Sequence, residues 1–170
     1  MELIVSDAHE GLQAARKAVF GGVPWQRCQF HLQQNAGQYV PKVSMRASAA
    51  ADIRSIFNAP SRDEAQRQLE RFVKKYEPIA PALAAWAEKA LPEGLTVFNL
   101  PASHRRRLRT TNLVERLNEE IRRRTKVARL FPNEASCLRL VSAVLMEISE
   151  DWQCAERRYV VFNDEDAIEG

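Results

Sequence analysis

Hydrophobic positions change their spacing along the chain, from short continuous runs at the start to helical spacing over most of the rest. Residues 3–5 form an apolar run, Leu-Ile-Val, which predicts a strand over residues 2–6 that is covered on both faces. Residues 8–20 have apolar side chains at helical spacing and predict a helix, which the GGVP turn ends. The segment 25–31, WQRCQFH, alternates well enough to predict a second strand.

Helical spacing dominates from residue 32 to residue 92, where prolines divide the pattern into separate segments. Ser61 and Glu64 have the spacing of a capping box, which predicts the first turn of a helix. Residues 81–92, PALAAWAEKALP, predict a shorter helix. This region is therefore expected to be helical throughout.

The remainder of the chain is also predicted to be largely helical. Residues 95–100 predict an extended segment or a loop, whereas helices are expected to begin near Asn112 and at Asn133. Residues 157–162, RRYVVF, predict a short strand or an extended tail. The whole pattern favours an α/β fold that is mostly α, with an incomplete sheet.

Composition narrows the class of protein further. The chain has 170 residues, of which 45% are hydrophobic and 28% charged, and its six glycines favour helices over a turn-rich β fold. No apolar stretch is long enough to span a bilayer, and Glu2 and Asp7 interrupt what would be the apolar region of a signal peptide. Three scattered cysteines are too few for a disulfide framework. We therefore expect a reduced, cytoplasmic protein without a membrane partner.

Charge is distributed unevenly along the chain. Residues 103–129 hold ten Lys or Arg and three Glu, a local charge of +7, so the rest of the chain sums to +3 − 7 = −4. A basic block of this density indicates a phosphate-rich partner. The alternative is a solvated helix face with ion pairs between Glu119 and Arg123 and between Glu120 and Arg124.

Asp7 stands at the end of the first predicted strand, where α/β proteins place residues that contact ligands. The alternative is that Asp7 caps the helix that starts near His9, since Asp is a favoured N-cap residue. Both interpretations are compatible with the pattern.

A second acidic position lies on the predicted helix TTNLVERLNEEIRRRTK. Its apolar face is formed by Leu113, Val114, Leu117 and Ile121, and Glu115 and Arg122 lie on the other side, two turns apart. That side can present a carboxylate to a metal and a cation to a phosphate. Alternatively, Asn112 and Glu115 have the spacing of a capping box, which would use Glu115 at the helix terminus.

Three motifs in order, VSDAHEGL, WQRCQFH and TTNLVERLNEEIRRRT, closely resemble the catalytic core of Mutator-type DDE transposases of bacterial insertion sequences. The resemblance implies a partial RNase H-like fold with an α-helical insertion. It divides the chain into a strand–helix–strand part (1–31), a helical insertion (32–102) and C-terminal helices that include the one with the catalytic glutamate (103–170).

The resemblance also implies metal-dependent cleavage of DNA phosphodiesters and strand transfer. Asp7 matches the family's second catalytic aspartate and Glu115 its catalytic glutamate, both ligands of Mg²⁺ or Mn²⁺. Arg122 matches the basic residue that accompanies the glutamate. The residues expected to support the active site are Trp25, Cys28, His31 and Asn112. The residues expected to bind DNA are Arg105, Arg106, Arg107, Arg109, Arg122, Arg123 and Lys126.

Two departures from the family pattern bear on activity. The family's first aspartate and its N-terminal DNA-binding region are expected upstream of Met1, so the isolated chain is expected to be inactive. Arg105 stands where family members often carry an aromatic residue. The alternative function is a non-catalytic remnant that binds nucleic acid or oligomerises. The partners expected from the resemblance are transposon ends, target DNA and further copies of the chain, near the nucleoid.

Cys28 and His31 form a C-x-x-H pair, a spacing that is also found in structural zinc sites. Such a site needs four ligands, and the other histidines and cysteines show no matching paired spacing. On a strand, positions three residues apart also point to opposite faces. No zinc is therefore expected.

Overall fold

The structure, a computed structural model, describes residues 2–128 and 130–154. The predicted strand or tail at 157–162 lies outside the described residues. Within them the chain forms two strands, eight α-helices and two 3₁₀ turns. Their order is β1 (Ile4–Ser6), α1 (Glu10–Phe20), β2 (Trp25–Arg27), α2 (Gln29–Ala36), α3 (Val43–Phe57), α4 (Arg62–Tyr76), α5 (Pro81–Ala90), the turns Leu91–Gly94 and Thr96–Asn99, α6 (Ala102–Leu108), α7 (Asn112–Ala128) and α8 (Glu134–Cys154).

The described sheet is small and parallel. β1 pairs with β2 in a register that places Ile4 opposite Trp25 and Ser6 opposite Arg27, with α1 as the crossover. This confirms an α/β fold that is mostly helical and has a small sheet. No helix in the described part of the chain is long and apolar enough to cross a membrane.

α1 begins two residues later than predicted, and its N-cap residue is His9, not Asp7. The helix starts at Glu10, and the His9 imidazole Nδ1 accepts a hydrogen bond from the Gly11 amide at 3.2 Å. The alternative in which Asp7 caps α1 is therefore wrong. Asp7 lies two residues before the cap, in the connection that leaves β1.

The predicted strand over 25–31 is wrong in its second half. β2 ends at Arg27, and α2 begins at Gln29. The physical reason is burial at helical spacing, because Gln29, Leu32 and Ala36 form the buried face of α2. The prediction ended the strand at residue 31 and began the helical region at Leu32. That boundary falls inside α2, because Leu32 belongs to the buried face of the helix.

The helical region was predicted correctly in its main features. Ser61 caps α4 by accepting a hydrogen bond from the Glu64 amide at 3.2 Å, and α5 begins at Pro81. The hydrophobic core is formed mainly by α3, α4, α5 and the chain that follows. Its fully buried members include Leu32, Ile53, Ile56, Ala65, Leu83, Ala87 and Leu91.

Residues 95–100 and the segment after them differ from the prediction. Of the two alternatives predicted for residues 95–100, an extended segment or a loop, the extended segment is wrong, because Thr96–Asn99 forms a 3₁₀ turn. α6 follows where the sequence predicted no helix. The segment ASHRRRL has too few apolar residues to show a helical period, although His104 is buried.

The described chain divides into two compact units, residues 2–111 and residues 112–154. The first contains both strands, the core and the helices up to α6. The second contains α7 and α8, which an ion pair between Arg124 and Glu147 joins at 3.2 Å. The three-part division at residues 31/32 and 102/103 stays a prediction.

Candidate active site

Asp7 follows β1 directly, so its carboxylate emerges at the carboxyl end of the strand. The side chain is 45% exposed, and its Oδ1 lies 3.0 Å from Nδ1 of His31. His31 reaches this position because the chain turns into α2 immediately after β2, which places the imidazole on the first helical turn. Cys28 and His31 therefore do not lie on opposite faces of one strand, contrary to the sequence prediction.

Cys28 is fully buried at the junction between β2 and α2. Its amide donates a hydrogen bond to the Ser6 carbonyl at 2.9 Å, and its sulfur accepts one from the Thr111 hydroxyl at 3.4 Å. The next amide, that of Gln29, donates to the carbonyl of Arg109 at 3.0 Å. These bonds hold residues 109–111 against the end of β2, beside the strand that carries Asp7.

Trp25 supports the same end of β1 through its indole. Nε1 donates to the Ser6 hydroxyl at 2.9 Å, and that hydroxyl donates to the Asp7 carbonyl at 2.9 Å. The guanidinium of Arg16 lies 4.8 Å from the ring centroid, a cation–π distance. Trp25 is half-buried and packs within this network.

Sequence reasoning missed three members of this arrangement, namely Ser6, Arg16 and Thr111. Ser6 and Thr111 lie inside the motifs VSDAHEGL and TTNLVERLNEEIRRRT, so membership of these motifs could have indicated that they belong to the site. Arg16 had no such signal, because an arginine on an amphipathic helix predicts only a solvated face.

Glu115 and Arg122 lie in the second unit, both on α7. Glu115 is half-buried, whereas Arg122, Lys126 and Asn112 are exposed. The predicted apolar face is only partly covered, since Leu113 is 40% exposed and Val114 55%. Asp7 and Glu115 thus belong to different compact units, and their convergence on one metal stays a prediction.

Some of the residues predicted to bind DNA form hydrogen bonds within the protein. Arg105 donates to two backbone carbonyls, and Arg109 donates to the Asn58 side chain at 2.8 Å. Arg123 donates twice to Glu120, at 2.8 and 2.7 Å, so its partner is Glu120 rather than the expected Glu119. The other residues predicted to bind DNA are all exposed, namely Arg106, Arg107, Arg122 and Lys126.

The expected pair between Glu120 and Arg124 is present at 2.8 Å. Hydrogen bonds from Arg123 and then Arg124 lower the pKa of Glu120 from its ordinary 4.5 to about 2. This pairing occupies two arginines of α7 with internal contacts. It makes part of the basic block a structural ion-pair network, as the alternative interpretation required.

The donor atoms available for a metal are hard oxygens, as Mg²⁺ prefers. Within the described residues, however, no group of three His, Cys, Asp or Glu side chains is close enough together to hold a metal ion. Asp7 and Glu115 fit the metal by chemistry but do not form a complete ligand set. The absence of zinc stays a prediction.

Comparison with known proteins places these residues in a family. The model of the family described as Transposase, Mutator family matches residues 1–155. A transposase for insertion sequence element IS406 from Burkholderia multivorans is 56% identical over 161 residues, which are 95% of this chain and 41% of that protein.

Two further relatives show the same pattern. A transposase for insertion sequence element ISRM5 from Rhizobium meliloti is 42% identical over 96% of this chain and 41% of its own length. A transposase for IS256 in transposon Tn4001 from Staphylococcus aureus is 35% identical over 95% of this chain and 42% of its own length. The chain spans less than half of the length of these relatives. Because the family model matches nearly the whole chain, the chain belongs to the Mutator family of transposases.

Proposed function

We propose that the chain contributes Asp7 and Glu115 to metal-dependent cleavage and strand transfer of DNA, on an RNase H-like scaffold. The observation that carries the proposal is the placement of Asp7. Its half-exposed carboxylate follows β1 at the carboxyl end of the parallel pair, 3.0 Å from His31. Ligand sites of open parallel sheets lie at this end of the strands.

The way in which the chain enters α7 supports a role for Glu115 in the same site. Thr111 is bonded to Cys28 beside the end of β1, and Glu115 follows only four residues later. In our proposal Glu115, on the first turn of α7, supplies the second carboxylate of the site.

A bound pair of Mg²⁺ ions would activate the attacking oxygen and stabilise the leaving oxygen of an in-line displacement. The chain's own residues have distinct roles in this proposal. Asp7 and Glu115 supply carboxylate oxygens, and His31 holds the orientation of Asp7. Trp25 fixes the strand end through Ser6. In our proposal a third carboxylate joins them from outside the described residues, as the family resemblance implies.

The partner in this proposal is DNA, bound through phosphate contacts of exposed cations. Arg106, Arg107, Arg122 and Lys126 are the strongest candidates, because their side chains are exposed. Homo-oligomer formation on two transposon ends is part of the same proposal. The competing function is a non-catalytic nucleic-acid-binding module. The exposed cations favour it, because they can bind phosphate without a metal.

Manganese binding by the full chain tests the proposed site. We expect weak Mn²⁺ binding in calorimetric titration, and loss of detectable binding in Asp7→Ala and Glu115→Ala, because each removes one of two oxygen ligands. Glu70→Ala, which removes an exposed carboxylate from α4, is the matched control and should bind as the unsubstituted chain does.

Two results would contradict the proposed site. Unchanged Mn²⁺ binding in both Asp7→Ala and Glu115→Ala would exclude these carboxylates as ligands. Equal weakening by Glu70→Ala would show diffuse attraction by surface acids instead. A strand-transfer assay with Mg²⁺ or Mn²⁺ then separates an enzyme from a binding module.

A further inference from the structure

A groove of about 530 Å³ opens on the first unit, and neither Asp7 nor His31 lines it. Its walls come from the connection between α3 and α4, the 3₁₀ turn Thr96–Asn99 and α6. Its lining includes Phe57 and Phe98, both buried. Its volume is in the range of small-molecule sites in proteins.

Three arginines line this groove, and the described lining residues include no carboxylate to neutralise them. They are Arg105, Arg106 and Arg109. Uncompensated guanidinium groups in a recess concentrate a positive potential there, because the protein walls focus the field. The groove is therefore selective for an anion.

Two of these guanidinium groups are fixed in place by the chain. Arg105 donates to the carbonyls of Leu100 at 2.8 Å and Pro60 at 3.2 Å, and its guanidinium lies 5.4 Å from the Phe98 ring centroid. Arg109 donates to Asn58 at 2.8 Å. Arginines held in this way lose little side-chain entropy when they bind an anion. Arg106 is exposed beside them.

The apolar part of the groove distinguishes between possible anions. The phosphates of an intact duplex lie on its surface and need only exposed cations to bind them. A recess with aromatic and aliphatic walls additionally suits an unpaired base, which can stack on an aromatic ring or on a guanidinium plane. The combination fits one nucleotide of a single strand.

We propose that this groove is a binding site for single-stranded DNA, taking the phosphate on Arg106 and Arg109 and the unpaired base against Arg105 and the apolar wall. The inference rests on the proposed function in so far as DNA is the ligand. In this proposal the groove binds one DNA strand that has separated from its complement, and the proposed metal ligands Asp7 and Glu115 take no part in that binding.

Fluorescence anisotropy of the full chain with a labelled single-stranded oligonucleotide tests this, in EDTA so that no metal contributes. Arg106→Ala should weaken binding and reduce the slope of log affinity against log salt by about 0.7, the value for one phosphate contact to a single strand. The matched control is Arg46→Ala, which removes an exposed arginine from α3 and should keep the slope.

A second variant tests the recess without changing the charge. Ala102→Trp fills the groove from the exposed first residue of α6 and should weaken single-strand binding about tenfold, the equivalent of one lost base-stacking contact. Ala85→Trp places the same side chain on an exposed position of α5 and should bind as the unsubstituted chain does. Circular dichroism confirms that each variant keeps its helix content.

Three outcomes would overturn the groove assignment. They are equal effects of Arg106→Ala and Arg46→Ala, an unchanged affinity in Ala102→Trp, and tighter binding of the matching duplex than of the single strand. Because all measurements are made in EDTA, these failures are distinguishable from failure of the metal site. None of these three outcomes would change the expected loss of Mn²⁺ binding in Asp7→Ala, which is measured in a separate experiment.

Discussion

At the scale of single residues, a buried glutamine ties the sheet to the helical part of the first unit. Gln26 is fully buried, and its Nε2 donates to the carbonyls of Arg27 at 2.7 Å and Gly94 at 2.8 Å. Its Oε1 accepts from the Val97 amide at 2.6 Å. Gln29 donates to the same Gly94 carbonyl at 2.8 Å. The amide group of Gln26 is therefore buried with hydrogen bonds to both its nitrogen and its oxygen.

Gly94 has no room for a side chain, which gives a testable prediction. A Cβ built on it would lie 2.6 Å from Cδ1 of Leu32 and 3.1 Å from the Phe57 ring, and Leu32 is fully buried. We expect Gly94→Ala to lower the free energy of unfolding by about 1–3 kcal/mol through overpacking. Urea unfolding followed by circular dichroism measures the change.

Gly22→Ala is the matched control, because a Cβ there meets nothing within 4 Å. It should leave the stability unchanged or raise it by about 0.4–1 kcal/mol through lower entropy of the unfolded chain. If both substitutions gave the same change, the close contact at Gly94 would not be responsible.

At the scale of elements, the α7–α8 unit carries a pH-dependent ion pair. The pKa of Glu120 is lowered to about 2 by Arg123 and Arg124, so its contribution to stability is complete above about pH 4.5 and is lost as the pH falls toward 2. The carboxylate is charged and paired in the folded state, and acid removes that charge.

The test compares the unsubstituted chain with Glu120→Gln across this pH range. The difference in thermal midpoint should be present above pH 4.5 and vanish near pH 2, and nuclear magnetic resonance should show Glu120 titrating with a midpoint near 2. Lys126→Gln changes an exposed charge on the same helix and should preserve the difference. A titration midpoint at the ordinary 4.5 would contradict the pairing.

Particular elements show how far the sequence predicts this structure. Helices with caps and clear periods, such as α4 with Ser61 and Glu64, were predicted from local chemistry. The end of β2 was not, because WQRCQFH alternates locally while Gln29, Leu32 and Ala36 pack at helical spacing. Local alternation and tertiary burial disagree there, and burial decides the outcome.

The candidate site was predictable to a similar degree. Asp7 was found because a strand ends there, and the contact from His31 required the unpredicted start of α2. The bond from Thr111 to Cys28 joins residues 83 positions apart. No local pattern reports such a contact, since it depends on how the helices between them pack.

At the scale of the whole molecule, the small sheet leaves β1 paired on one side only in the described residues. An unpaired strand edge is a template for another chain. We expect concentration-dependent self-association in sedimentation velocity, persisting as salt is raised because backbone bonding and apolar contact drive it. Val5→Pro, which removes an amide from the strand edge, should reduce association.

Association that disappears at high salt would point instead to contacts of the basic block with acidic surfaces. A monomer at all concentrations would contradict the edge-strand prediction altogether. Unchanged helix content in Val5→Pro is required before its result is interpreted.

The long-range bonds of Gln26 have a consequence for how the protein is made. The partners in these long-range bonds, Gly94 and Val97, lie 68 and 71 residues later in the chain. At a synthesis rate of about 5–20 residues per second, the ribosome needs roughly 3–14 s to reach them. During that interval the nascent β2 cannot complete its contacts. The apolar residues 3–5 beside β2 therefore stay accessible to chaperones until residues 94–97 have been synthesised.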